Sequence, residues 1–369
     1  MTAPDPPRVL ALLSKDFGEL ANTLNLLEGV PVKARLLLPP GLLALNPVLA
    51  PHEVGRLGAC EAVIAELKRF RPRLLLLMSG YLFGINHLLS NADLAAIVEA
   101  ARRMGVRVAT TDPFLGWWRG RVPQAQPLGS GNPALAAVAD LLAATDHLHP
   151  APVATGPRTH AWYNPETGSS GSASLSPHEE SKGITAPFWL AVLSAEDFRL
   201  QCQLQGRAVF EARLLALGAA ATAQGRRLLA VVPEMAAESL RALDTSGSQW
   251  QTALGYDRFR ACVLDAEHAF YWNRLSNSVL TRLANERSAF FFAVGHLAHV
   301  LPQVGAQACE AYFVGAPMPV LASDTVLQLE VLNELARQQH TDLAPARQAL
   351  RALPSASALV ARLLGEDPR

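Results

Sequence analysis

Short, unbroken apolar runs that stop at polar turns, alternating with stretches of helical period, constrain this chain more than any other feature. The first run, Arg8 to Ser14 (RVLALLS), ends at Ser14-Lys15-Asp16, and Gly18 to Leu27 follows with Leu20, Leu24 and Leu27 on one side. An apolar run without alternation fits a strand buried on both faces, and leucines three and four apart fit a helix packed on it. The unit recurs. Val32 to Leu38 is closed by Pro39-Pro40-Gly41, His52 to Phe70 carries good helix formers, and Arg73 to Met78 (RLLLLM) runs into Ser79-Gly80-Tyr81. Asn91 is the expected N-cap of a helix from Ala92 to Met104, and Gly105 ends that helix. Val106 to Thr110 is the next strand, stopped by Thr111-Asp112-Pro113, and a further helix is expected from Pro133 to Ala144.

Residues 156 to 187 then break the pattern: they are rich in Gly, Ser and Pro and have no period, which reads as a linker. Beyond it the alternation restarts. Phe188 to Leu193, Leu228 to Val232, Ala269 to Trp272 and Ala289 to Ala293 read as strands. Phe198 to Ala223 reads as one long helix, Met235 to Leu243 and Ser278 to Asn285 as shorter ones, and Arg258 to Leu264 as a helix or short approach segment. The tail from Thr325 to Leu364 is mostly helical, with breaks near Pro345 and Pro354. Strands alternating with helices at this spacing predict an α/β protein with two Rossmann-like, doubly wound domains. The expected division is 1–155, a linker at 156–187, and 188–369 with a helical tail.

Composition narrows the function. A chain of 369 residues is long enough for two cores, and 32 basic against 32 acidic side chains leave no net field to attract a polyanion. Nucleic acid is therefore not the expected partner. No run reaches the roughly 18 apolar residues of a membrane span, and the N-terminus reads as a strand instead of a leader, so a cytoplasmic protein is expected. Cys60, Cys202, Cys262 and Cys309 have no metal-binding spacing and read as reduced thiols, so neither a metal nor a cofactor is expected.

In an open parallel sheet, ligands bind outside the carboxyl ends of the strands, which directs attention to the polar turns. The richest is Asn273-Arg274-Leu275-Ser276-Asn277-Ser278, between a strand and a helix. Helix N-termini offer backbone N–H groups and a partial positive charge, so Ser276, Asn277 and Ser278 suit a phosphate, with Arg274 adding a guanidinium fork. The same residues also suit ordinary N-capping, with Arg274 paired to Asp265 or Glu267. Gly295 and His296 follow the next strand; the glycine permits close backbone approach, and the histidine suits a phosphate, a sugar hydroxyl or a base role. In the first half, Asp16 and Asp112 suit a general base, with Lys15, Tyr81 and Trp117 beside them, or alternatively helix capping and turn formation. Neither a Walker loop nor a GxGxxG is present.

The stretch AFYWNRLSNSVLTRLANERSAFFFAVGHL resembles the C-terminal-domain pattern of GT-B glycosyltransferases, in which two Rossmann-like domains face one another across a cleft. The resemblance implies that Ser276, Asn277 and Ser278 hold the diphosphate of a nucleotide-sugar and that Glu286 binds its ribose. It departs from the pattern in having Ser-Asn-Ser for the usual Gly-Gly, Ser288 for the expected Pro, and no EX7E motif. The implied activity is transfer of a sugar to an acceptor such as a glycan, lipid, protein or small molecule. The leaving group would be stabilised without a metal by a helix N-terminus, Arg274 and His296, and the acceptor activated by Asp16 or Asp112. A sugar-nucleotide epimerase, a pyruvyl-type transferase, and a binding or assembly protein that keeps the fold without catalysis remain as alternatives.

Overall fold

The computed structural model describes residues 5–80, 87–111, 138, 140–153, 155–164, 187–300, 302–316, 320–322 and 327–365. Asp112, Tyr81 and Trp117 lie outside them, as does 165–186 of the expected linker. The chain forms two compact units, residues 1–164 with 350–369, and residues 165–349.

The first unit holds a seven-stranded, all-parallel sheet of β1 (Arg8–Leu12), β2 (Lys33–Leu38), β3 (Glu53–Arg56), β4 (Leu74–Leu77), β5 (Arg107–Thr111), β6 (Asp146–His149) and β7 (Thr159–Ala161). Their spatial order is β3-β2-β1-β4-β5-β6-β7. The apolar runs sit at the centre: Val9 to Leu12 and Leu74 to Leu77 are buried, as parallel strands covered on both faces require. Helices α1 (Phe17–Leu27), α2 (Pro40–Leu45), α3 (Cys60–Phe70) and α4 (Asn91–Arg103) alternate with the strands. Val63, Leu67, Leu94, Ile97 and Val98 of α3 and α4 share one core cluster with Leu10, Leu12, Leu75 and Leu77. Asp16 caps α1 through Gly18 N (2.8 Å). The cap of α4 is Ser90, one residue before the expected Asn91; it forms a reciprocal capping box with Asp93.

Strands β3, β6 and β7 carry no apolar run. β3 (EVGR) lies at the sheet edge within the expected 52–70 helix, and β6 (DHLH) buries histidines and an aspartate. β7 falls inside the region expected as linker, so the first sheet continues to Ala161. These strands are held by main-chain pairing and ion pairs and are too short or too polar for a periodic signal.

The second unit holds a five-stranded, all-parallel sheet in the order β10-β9-β8-β11-β12. Its strands are β8 (Phe188–Val192), β9 (Arg227–Val231), β10 (Gln249–Gln251), β11 (His268–Tyr271) and β12 (Ala289–Phe291). Between them run α5 (Ala195–Gln205), α6 (Arg207–Ala223), α7 (Glu234–Leu243), α8 (Tyr256–Asp265) and α9 (Asn277–Ala284). The single long helix expected from Phe198 is broken at Gly206, whose φ of 88° ends α5 and opens α6. After β12 come α10 (His296–Val300), α11 (Pro302–Phe313), α12 (Leu329–Asp342), α13 (Ala344–Arg351) and α14 (Ala356–Leu364). An aromatic file of Trp189, Phe270, Phe290 and Phe292, with ring centroids 5.4–5.7 Å apart, fills the core under α5 and α6.

Helix α14 does not stay with the second half of the sequence, as the expected 188–369 domain had it; it belongs to the first unit. Leu359, Val360, Leu363 and Leu364 are buried, and Arg107 and Arg73 of the first sheet donate to the carbonyls of Arg362, Leu363 and Leu364 at its C-terminus. Arg107 also pairs with Asp146, which accepts His160 Nε2 at 2.7 Å. Burial pushes the Asp146 carboxyl up, but hydrogen bonds from His160 and Arg107 outweigh it and hold that group below the usual carboxylate range. No described helix is long and apolar enough to cross a membrane.

Candidate functional site

In both sheets the strand order reverses at the strand that begins the unit, between β1 and β4 in the first and between β8 and β11 in the second. The crevice beyond the carboxyl ends at that reversal is where a doubly wound sheet offers a ligand site.

In the second sheet this place is lined by the turns after β8, β11 and β12. Ser194 caps α5 by accepting from Asp197 N (3.0 Å), and its hydroxyl donates to Asp197 Oδ2 (2.7 Å). Asp197 is buried, and its Oδ1 accepts the backbone N–H of His296 at 2.6 Å, joining the turn after β8 to that after β12. Burial raises the Asp197 carboxyl, against the hydrogen bonds from Ser194 and His296 N and the nearby His296 ring. After β11, Asn273 Oδ1 accepts Leu275 N (2.9 Å) and turns the chain into α9. Gly295 has φ 95°, and a Cβ there would lie 2.5 Å from Asn273 Oδ1 and 3.1 Å from Asn273 Cα. Only glycine therefore lets the two turns close on one another.

Ser276 occupies the N-cap of α9 with extended backbone (φ −82°, ψ 138°), yet its side chain makes no capping bond. Its hydroxyl instead meets that of buried Ser278 at 2.8 Å. Asn277 and Arg274 are half-buried beside it. Of the two carboxylates offered as partners for Arg274, Glu267 is engaged elsewhere, by Arg226 at 2.7 and 3.0 Å. Arg274 instead lies near the Cys309 thiol of α11, which burial raises and the guanidinium lowers. The structure thus brings Arg274, Ser276, Asn277, Ser278, Gly295 and His296 to one edge of one sheet. It does not bring Glu286 there: that residue is exposed beyond the C-terminus of α9, with φ 59°. The eight residues of α9 span about 12 Å back along the sheet at 1.5 Å per residue. Asn273 stands in the turn that the sequence marks, and Asp197 in the one after β8, but that Asn273 closes on Gly295 and Asp197 on His296 N was not legible there, because those partners follow separate strands.

In the first sheet, Lys15 and Asp16 are exposed after β1. Behind them is a buried network that the sequence did not reveal. Glu19, in the first turn of α1, accepts the Thr111 hydroxyl (2.7 Å); Thr111 Oγ1 accepts Ser79 N (2.6 Å), and Thr110 Oγ1 accepts Gly80 N (3.1 Å). Ser79 has φ 56°, a strained value for a residue with a Cβ, and a Cβ on Gly80 would lie 2.5 Å from Thr110 Oγ1. The ends of β4, β5 and the start of α1 are thereby tied together. Burial first, then the Asp16 charge, pushes the Glu19 carboxyl up to about 7, despite the Thr111 bond. His87 is driven down to about 4 by burial and by Lys15.

Among the described residues no three His, Cys, Asp or Glu side chains cluster as metal ligands, so His296 and His299 gain no third partner there. The four cysteines are free thiols.

No protein family model and no curated protein matches the chain. Solved structures do. Spinosyn rhamnosyltransferase SpnG is 16% identical with a TM-score of 0.54, over 97% of this chain and 100% of that one; the same enzyme complexed with thymidine diphosphate is 14% identical, at 0.51 over 97% and 99%. The glycotransferase of kitacinnamycin is 13% identical, with a TM-score of 0.53 over 98% and 100%. UDP-GlcNAc 2-epimerase from Neisseria meningitidis, bound to UDP-GlcNAc, is 11% identical, with a TM-score of 0.53 over 97% and 99%. Two parallel sheets, each reversing its strand order beside its first strand and matched end to end by these enzymes, give this chain a GT-B-like fold.

Proposed function

We propose that the chain is a glycosyltransferase that moves a sugar from a nucleotide-sugar to an acceptor, with the donor diphosphate at the N-terminus of α9. The observation that carries this reading is the position of Ser276-Asn277-Ser278. They open a helix at the strand-order reversal of the second sheet, and the N-cap serine does not spend its side chain on capping. Solved structures of the same fold that hold thymidine diphosphate and UDP-GlcNAc support it. In transfer, the bond from the sugar to the diphosphate breaks and a bond to the acceptor oxygen forms. The acceptor proton goes to a general base, the role proposed for Asp16 or Asp112. Arg274, the α9 N-terminus and His296 would meet the charge developing on the diphosphate, with no metal required.

A panel of UDP-, dTDP-, GDP- and CDP-sugars at millimolar concentration tests the site by thermal shift. At least one should raise the melting temperature, and Arg274→Ala should weaken that ligand by about tenfold or more with the fold intact. Stabilisation by none of them sinks the reading. The epimerase reading is favoured by the UDP-GlcNAc 2-epimerase match at the same TM-score as the kitacinnamycin enzyme. Free nucleotide that appears only when acceptor is added indicates transfer; an inverted sugar without acceptor indicates epimerisation.

A further inference from the structure

Beside the second sheet is a cavity of about 610 Å³, within the size range of small-molecule sites. It opens between α5 and α6 on one side and the ends of β11 and β12 on the other. None of Arg274, Ser276, Asn277, Ser278 or His296 lines it, so it is separate from the candidate phosphate turn. Its floor is aromatic. Phe210 meets Trp272 edge-on at 5.8 Å, and Trp272 packs against half-buried Phe292 at 5.2 Å, so three packed rings back the space. Leu204, at the mouth, is 59% exposed, a large apolar side chain left in water beside an apolar hollow.

The polar lining is equally one-sided. Arg213 is the one charged residue among the described lining, and no carboxylate is present there. Its guanidinium donates to Gln205 Oε1, and Gln205 Nε2 donates to Gln201 Oε1 at 2.9 Å. Gln201 is buried and Arg213 exposed, so the chain of amides runs from the interior to a guanidinium at the rim. Among the described residues Arg213 has a neutral amide as its partner and forms no ion pair.

We propose that this cavity binds an aromatic carboxylate, with the ring system against Phe210, Trp272 and Phe292 and the carboxylate on Arg213. Aromatic walls favour a flat, apolar body, and a guanidinium with no carboxylate in the lining favours a planar anion that it can meet with two parallel hydrogen bonds. The site is independent of the glycosyl-transfer reading, since no residue of the phosphate turn takes part.

The test uses three probes with one ring system and different charge: 1-naphthoate, 1-naphthalenemethanol and 1-naphthylmethylamine, titrated into the full-length protein by calorimetry. Naphthoate should bind tightest, the alcohol roughly tenfold weaker and the amine weakest. Arg213→Ala should bring naphthoate to the level of the alcohol and leave the alcohol unchanged. Ala216→Trp, at an exposed position on the rim that tolerates bulk without disturbing the core, should abolish binding of all three at an unaltered melting temperature. No binding by any probe, equal binding by all three, naphthoate affinity unchanged in Arg213→Ala, or binding that survives Ala216→Trp would overturn the proposal.

Discussion

Glu19 sits in the first turn of α1 with its carboxyl buried against Thr111, and burial raises it from an ordinary 4.5 to about 7. A group whose folded value is raised above its unfolded one contributes stability that is fully present below about 4.5 and lost as pH rises through 7. The loss amounts to about 3 kcal/mol, because a tenfold change in proton affinity is worth roughly 1.4 kcal/mol. Glu19→Gln keeps an acceptor for the Thr111 hydroxyl and removes the charge. In urea titrations, the variant should match the wild type near pH 4.5 and exceed it progressively up to pH 7, then stay ahead by a constant margin. His87, pushed down to about 4, titrates in the opposite sense between about 4 and 6.5, but it is common to both proteins and drops out of the difference. A difference that is flat with pH would show that Glu19 is not the titrating group. At this scale the sequence marked Asp16, which is visible as the residue between a strand and a helix. It did not mark Glu19, whose role depends on hydroxyls 92 residues away.

Among elements, α9 carries the proposed anion site, and Arg282 fixes where that helix lies. The guanidinium is fully buried and donates to Ser288 O (2.6 Å), Val263 O (2.6 Å), Ala266 O (3.1 Å) and Glu267 O (3.3 Å). These carbonyls belong to the end of α8, the approach to β11 and the approach to β12, so one side chain ties α9 to both neighbouring connections. Burial lowers Arg282 to about 10, which leaves it charged at neutral pH. Arg282→Met fills similar space but takes the donor from two buried carbonyls, of Val263 and Ala266, and from the partly buried one of Ser288, while Glu267 O keeps only the Ser288 hydroxyl at 3.4 Å. The expected loss is about 3 kcal/mol or more of unfolding free energy, read as a drop in urea midpoint. A loss below about 1 kcal/mol would mean that water replaces those bonds. The helix expected from Ser278 to Asn285 lies within one residue of α9 at each end, because a polar turn precedes an apolar face. It could not reveal that an arginine in that face is a structural clamp, since arginine in a helix normally reads as solvated.

For the molecule as a whole, the first unit is discontinuous: it needs 350–369 in addition to 1–164. Residues 1–164 expressed alone should therefore melt at a lower temperature than the same fragment co-expressed with a 350–369 peptide. The buried leucines of α14 and the Arg73 and Arg107 bonds to its last carbonyls are absent without it. Identical melting in both preparations, followed by circular dichroism, would show that α14 is dispensable to the unit. The sequence by itself determined that the chain is α/β, that its central strands are buried on both faces, and which polar turns end them, because apolar runs and helical period are local properties. Only the tertiary structure decided the short strands β3, β6, β7 and β10, the return of α14 to the first unit, the close approach of Asn273 to Gly295 and the bond from His296 N to Asp197. Those depend on partners far away along the chain, and no local pattern encodes which buried polar group will meet which.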